Sequence, residues 1–312
     1  MISRRTALAG LASSLAVATN PAATNTTSKR KFTVDLRASS IGVQANQSEV
    51  ISLAAKHNFE SVGASAYEIG SMSDAAIAKL VEQLESEKLT WGSAGLPVEF
   101  RKDDAKFKSD LDALPKRAAA LRKVGVSRMG TWIMPGSDEL TYLENFKLHS
   151  SRLKTIASIL DANGLRFGLE YVGTPSLRFQ KRFSFLHSMR EAGELLESIN
   201  APNMGFILDS WHWYTAGESA DDIRKLNNQN VVACDLNDAP AGLEIAEQKD
   251  NKRELPLATG VIDLQSFLRV LVEIDYDGPV RAEPFNQTLN QLNNDQACAA
   301  TSKSIRASFD LI

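Results

Sequence analysis

Eight short β-rich runs, each followed by a stretch with helical periodicity, restrict the fold of this chain more than any other feature. The predicted strands are Phe32–Leu36, Ser61–Ser65, Thr90–Ala94, Ser127–Trp132, Arg166–Tyr171, Met204–Asp209, Asn230–Asp235 and Pro279–Pro284. Between them, Ile77, Leu80, Val81 and Leu84 share one helical face, as do Leu111, Leu114, Ala118 and Leu121. Leu153, Ile156 and Leu160 form another such stripe, and Leu264, Phe267, Leu268 and Leu271 a fourth. Gly125, Gly164 and Gly278 stand where helices hand over to strands and a tight or left-handed residue is needed. Strict β-then-α alternation over eight units predicts an α/β chain closed into a parallel (β/α)8 TIM barrel. The rival is an open doubly wound sheet, but no Gly-x-Gly-x-x-Gly follows the first strand. With 43% hydrophobic residues in 312, one large core is within reach, and no linker or repeat divides residues 31–312.

Residues 1–30 read as a targeting segment and disordered leader. Ser3-Arg4-Arg5-Thr6-Ala7-Leu8 sets paired arginines before an apolar run from Ala7 to Ala18. Small residues follow, Ala16-Val17-Ala18 and Pro21-Ala22-Ala23, and either group suits a cleavage point. The run is too short and too alanine-rich to span a bilayer. The pattern matches a twin-arginine export signal, although Ala7 stands where that signal usually has Phe. An ordinary secretory signal is the alternative, and both place the mature protein outside the cytoplasm, in the periplasm for the twin-arginine route. The only cysteines, Cys234 in a strand and Cys298 in the last helix, are expected to be two separate buried thiols. A formal net charge of −3 without a basic stripe argues against nucleic acid, and none is expected as a partner. The sequence leaves a homo-oligomer open.

In such a barrel the chemistry sits where strands end. Strand five ends in Gly168-Leu169-Glu170-Tyr171 and strand six in Leu208-Asp209, followed by Ser210-Trp211-His212-Trp213. Strand seven ends in Cys234-Asp235 and strand eight in Ala282-Glu283-Pro284-Phe285. The two-residue period puts Glu170, Gly168 and Arg166 on the barrel axis, with Asp235, Ala233 and Val231 likewise inward and Cys234 facing the helices. Four inward acids around one mouth repel unless a cation sits among them. A hard divalent ion, Mn²⁺ or Mg²⁺, is the simplest partner for an oxygen-rich set. Trp132, Trp211 and Trp213 lie at or just beyond strand ends, where an indole can cover a sugar ring or cap the core. Arg253 either contacts an oxygen-rich substrate or is a solvated charge among Lys249, Asp250, Lys252 and Glu254. Arg281 is expected one layer below Glu283 in a structural ion pair.

These residues resemble the xylose isomerase-like sugar isomerase/epimerase superfamily. The similarity rests on Gly168-Leu169-Glu170-Tyr171, Leu208-Asp209-Ser210-Trp211-His212, Thr259-Gly260-Val261-Ile262-Asp263-Leu264, Tyr276-Asp277-Gly278-Pro279-Val280 and Glu283-Pro284-Phe285. It covers roughly residues 31 to 312. The resemblance implies a metal held by Glu170, Asp209, Asp235 and Glu283, although Asp235 stands where most relatives place His. It also implies that Glu170 and Glu283 exchange a proton with the substrate from opposite faces, next to a carbonyl. Asn237 and Asp238 match a polar pair that often follows the family's seventh strand, and His212 is placed to bond a sugar hydroxyl. The expected substrate-binding set is His212, Trp132, Trp213 and Arg253, and the expected partner a small sugar or glycoside. Three activities stay open: isomerase or epimerase, a metal-dependent lyase or hydrolase acting on keto-glycosides, and a non-catalytic carbohydrate-binding barrel. A phosphodiesterase is disfavoured, since only four histidines occur in the chain.

Overall fold

The computed structural model describes residues 29–312; the predicted export segment lies outside the described residues. Among them, eight parallel strands close into a barrel: β1 (Thr33–Leu36), β2 (Ser61–Ala64), β3 (Thr90–Gly95), β4 (Arg128–Trp132), β5 (Arg166–Glu170), β6 (Met204–Asp209), β7 (Val231–Asp235) and β8 (Pro279–Arg281). Each strand pairs with its chain neighbours, and Thr33↔Pro279 and Val34↔Val280 close the ring. The outer layer holds α1 (Gln47–Lys56), α2 (Asp74–Ser86), α3 (Asp104–Val124), α4 (Tyr142–Asp161), α5 (Met189–Ile199), α6 (Ala220–Arg224), α7 (Leu264–Glu273) and α8 (Asn294–Phe309). No described helix is long and apolar enough to cross a membrane. The predicted fold class and all eight strands are therefore found.

Local signals start and stop these elements. Asn46 and Glu49 form a reciprocal capping box on α1, and Thr141 and Glu144 do the same on α4. Gly125 ends α3 at φ 92°, a conformation that a side chain disfavours. Leu153, Ile156 and Leu160 of α4, with Phe167 and Leu169 of β5, belong to the apolar layer between helices and barrel. Cys234 and Cys298 are both free and buried, as expected.

The barrel interior is narrow and has a closed floor. Arg166 and Arg128 donate to the carbonyls of Val231 and Val232 at its base, at 2.8 and 2.9 Å. Above them Ile207 and Val232 fill the space left by glycines: a Cβ on Gly168 would lie 2.8 Å from Ile207 Cγ1 and 2.9 Å from Val232 Cβ. Val231 was expected on the axis, and here the alternation fails. The register steps from Phe206↔Val231 to Ile207↔Ala233, so β7 carries one extra residue opposite β6. That bulge turns Val231 to the helices, brings Val232 inward, and restores Ala233 and Asp235 to the axis. A second correction concerns β8, which pairs only through Arg281; Glu283 stands two residues beyond the ladder.

Two outcomes follow from this packing. Gly168→Ala forces a methyl into an occupied space and is expected to lower stability by about 1–3 kcal/mol in urea denaturation. Glu218 accepts hydrogen bonds from the Tyr171 hydroxyl and, at 2.6 Å, from the Met189 backbone N–H. Burial pushes its pKa from 4.5 up to about 7. The native state then holds this proton more tightly than the unfolded chain, so the associated stability is complete below pH 4.5 and lost as pH rises through about 7. Glu218→Gln is expected to remove that loss, on the order of 2 kcal/mol, from the pH profile of unfolding.

Candidate active site

The ends of β5 to β8 gather the four predicted acids. Glu170 and Asp209 close their strands, Asp235 closes β7, and Glu283 follows β8; all four are buried. Asp209 also caps the short helix Ser210–Thr215, accepting from the Trp211 N–H at 2.8 Å. Asn237 holds the group in register. Its Nδ2 donates to Asp209 at 3.0 Å, and its Oδ1 accepts from the Glu283 backbone N–H at 2.8 Å. The neighbouring Asp238 faces away and accepts from Thr259, Gly260 and Ile262 N–H groups at 3.0, 2.7 and 3.1 Å. That anchor explains why the Thr259-Gly260 stretch accompanies strand seven in the sequence.

Arginines answer three of the acids. Arg281 binds both oxygens of Asp235, at 2.6 and 3.1 Å, in the ion pair expected of it. Arg37 reaches Glu283 at 2.6 Å and Asp235 at 3.8 Å. Sequence reading passed over Arg37, although it shares the inward parity of Asp35 on β1. Arg253 was expected either against the substrate or in solvent, and burial removes the second of these: it is 2% exposed. Its guanidinium donates to Asp209 at 2.8 Å, to the Glu283 carbonyl at 3.2 Å and to Asp250 at 2.7 Å. It lies 3.2 Å from His212 Nε2, under the Phe285 ring at 4.8 Å. A charge buried this deeply is stable because carboxylate and carbonyl oxygens surround its N–H groups.

The electrostatic balance is still negative. With Asp35 below and Asp250 above, six carboxylates surround three guanidinium groups among the described residues. Burial would raise Asp235, but Arg281 holds it below the ordinary carboxylate range. Asp209 is raised by burial despite Arg253. Glu170 is the acid left over: burial, then repulsion from Glu283, Asp235 and Asp209, pushes it well above its usual range. Its Oε1 is buried without a hydrogen-bond partner. His212 is neutral, held at about 3 by burial and by Arg253. Gly173 N–H donates to its Nδ1 at 3.3 Å, and its Nε2 lies 3.8 Å from Asp209 and 4.0 Å from Glu170.

This donor set fits a divalent ion. Ligand atoms of Glu170, Asp209 and His212 lie within 4.8 Å of one another, as do those of Glu170, Asp235 and Glu283. Glu170, with its orphaned oxygen, belongs to both groups. Asp235 is among these atoms, yet both its oxygens are engaged by Arg281, and His212 offers the alternative donor on the other side.

Beside the acids a cavity of about 450 Å³ opens along the loops after β1 to β4, with Glu170, Arg37 and Arg281 on its wall. Trp132 borders it, with the Arg101 guanidinium 4.4 Å from its ring centre. Trp213 is not brought there. It packs 5.5 Å from Phe267 in the helix layer, so its expected place against a substrate is corrected: an indole buried against α7 offers no face to a ligand. Trp211 is also core, donating to Thr174 at 3.0 Å.

A closed parallel barrel with a carboxylate centre at the C-terminal mouth of its last four strands defines the class. The chain belongs to the xylose isomerase-like TIM barrel family, whose model matches residues 51–308. It is similar to the inosose isomerase of Bacillus subtilis (strain 168), at 24% identity over 49% of this chain and 51% of that protein. The chain thus spans about half the length of the curated relatives it matches first. Among solved structures, a xylose isomerase domain protein from Alicyclobacillus acidocaldarius superposes with a TM-score of 0.79, at 28% identity over 89% of this chain and 98% of that one. The IOLI protein, solved with a bound zinc atom, shares the fold with a TM-score of 0.74, at 18% identity over 89% and 98% of the two chains.

Arg253→Met leaves Asp209 and Asp250 without their cation. It is expected to lower stability by about 3–5 kcal/mol, measured by urea denaturation at neutral pH.

Proposed function

We propose that this protein is a divalent-metal-dependent sugar isomerase or epimerase that moves a proton next to a carbonyl. The observation that carries the reading is Glu170: a buried carboxylate with an orphaned oxygen, raised affinity for a proton, and a place on the wall of the cavity. Relatives with isomerase activity in their names support it. Glu170, Asp209 and Glu283 with His212 or Asp235 would hold the ion. Mn²⁺ or Mg²⁺ suits the oxygen-rich set, and when bound it polarises the substrate carbonyl and steadies the enediolate.

The chain's own groups supply the rest. Glu170 takes the proton from the carbon beside the carbonyl, and the C–H electron pair passes into the enediolate. Glu283, fixed by Arg37 and by Asn237, takes a proton from solvent before the cycle and delivers it to the enediolate from the other side. Glu170 must be ionised to act as the base, and the proton it takes is released to solvent before the next turnover, which is where deuterium enters. Neutral His212 adds no charge to the centre. The cavity continues well past Glu170, which favours a second reading with the same first step. There the enediolate expels a leaving group, making the enzyme a lyase acting on keto-glycosides. Arg4-Arg5 and the apolar run after them support a site of action outside the cytoplasm.

The test is solvent exchange in D₂O over a panel of keto-sugars and 3-keto-glycosides. Chelation is expected to abolish deuterium incorporation and Mn²⁺ or Mg²⁺ to restore it. Glu170→Gln and Glu283→Gln are each expected to slow exchange by about 10²-fold or more. Incorporation with an intact carbon skeleton identifies an isomerase or epimerase, and a released aglycone identifies the lyase. Wild-type rates in both glutamine variants would sink the proton-transfer reading.

A further inference from the structure

The cavity beside Glu170 is chemically two-ended. At one end stand the charged groups Glu170, Arg37 and Arg281. At the other, its wall is formed by Ala66 and Leu96, with two aromatic rings, Tyr67 and Trp132. Both rings are exposed, Tyr67 at 60% and Trp132 at 39%. Each is backed by an arginine over the ring, Arg117 at 4.5 Å and Arg101 at 4.4 Å. Those arginines are themselves anchored. Arg101 donates to the Trp132 carbonyl at 2.7 Å and pairs with Glu99 at 2.9 Å, and Arg117 donates to the Pro97 carbonyl at 3.3 Å. The aromatic faces are thus held in position without being used by the core. The one carboxylate at that end, Glu68, is already occupied by the Gln47 backbone N–H at 2.9 Å. Gly95 also lines the cavity, and a Cβ built there meets no atom within 4 Å.

A sugar ring held at Glu170 leaves the two aromatic faces to a further group on the substrate. From this polarity we infer that the substrate carries a second, apolar or aromatic ring, so that the site takes a glycoside or aryl-substituted sugar rather than a free sugar. The reacting ring sits at Glu170, and the substituent ring lies against Tyr67 and Trp132. Aromatic stacking of this kind contributes about 0.5–1.5 kcal/mol beyond area burial. The inference rests on the proton-transfer reading for what happens at Glu170, but the second subsite stands on the cavity alone.

The test therefore uses probes that are not turned over. Binding of phenyl β-D-glucopyranoside and of D-glucose is measured by titration calorimetry on the wild type and on Glu170→Gln. The phenyl glycoside is expected to bind about tenfold tighter than glucose to both. Tyr67→Ala and Trp132→Ala are each expected to weaken the glycoside about 3- to 10-fold while leaving glucose unchanged. A Cβ on Gly95 meets no atom within 4 Å, and Gly95→Leu, its folding checked by thermal denaturation, is expected to abolish the preference for the glycoside. Equal binding of the two probes, or a glycoside preference untouched by all three substitutions, overturns the inference. A preserved preference in a protein that exchanges no deuterium with any keto-sugar would leave the subsite standing and remove the proton-transfer reading instead.

Discussion

The alternation of carboxylates and guanidinium groups at the barrel mouth is the interaction on which the rest of this structure depends. Burying one unpaired carboxylate costs several kcal/mol, and this mouth buries four. The three arginines that answer them come from distant parts of the chain: Arg37 after the first strand, Arg281 on the last, and Arg253 from the segment between β7 and α7. Through Arg37 and Glu283 the first strand is tied to the chain just beyond the last, across the seam where the barrel closes. Asn237 repeats the device without charge, linking the ends of β6, β7 and β8. Charge compensation and ring closure are the same set of bonds, with Glu170 as the one acid outside it.

This arrangement divides the mouth into two unlike halves. Over β5 to β8 the segment from Leu236 to Ile262 carries Arg253 down onto Asp209, with the Phe285 ring over its guanidinium. Over β1 to β4 the loops stay apart and leave the cavity. Glu170 stands on the boundary, buried with the acids yet on the wall of the open half. A carboxyl in that position keeps the raised proton affinity of the interior while remaining reachable from the cavity, the combination proton transfer requires.

The strands were legible because strand and helix periods differ and eight repeats leave little freedom. The acids were legible because strand ends are the one place where an inward polar residue is tolerated. What escaped has physical causes. Val231 and Val232 are interchangeable in a hydrophobic pattern, so no periodicity reports which of two valines a bulge turns inward. Arg253 sits among Lys249, Asp250, Lys252 and Glu254, a composition that reads as surface; its burial follows from tertiary partners 30 to 44 residues away in sequence. Arg37 lies one residue past a strand, where the parity argument still held and could have been extended. Trp213 lies four residues past Asp209, inside a helical turn, and there the two-residue rule no longer says where a side chain points.

The placement of Arg253 on an insertion, rather than on a strand, has a consequence for how such sites diversify. The acids stand at strand ends, whereas the cation opposite them arrives on a segment outside the ladder, tied to the strand ends by the Asp238–Glu254 bridge and by the Arg253 N–H on the Pro284 carbonyl. The net charge of the centre is therefore inherited separately from its framework.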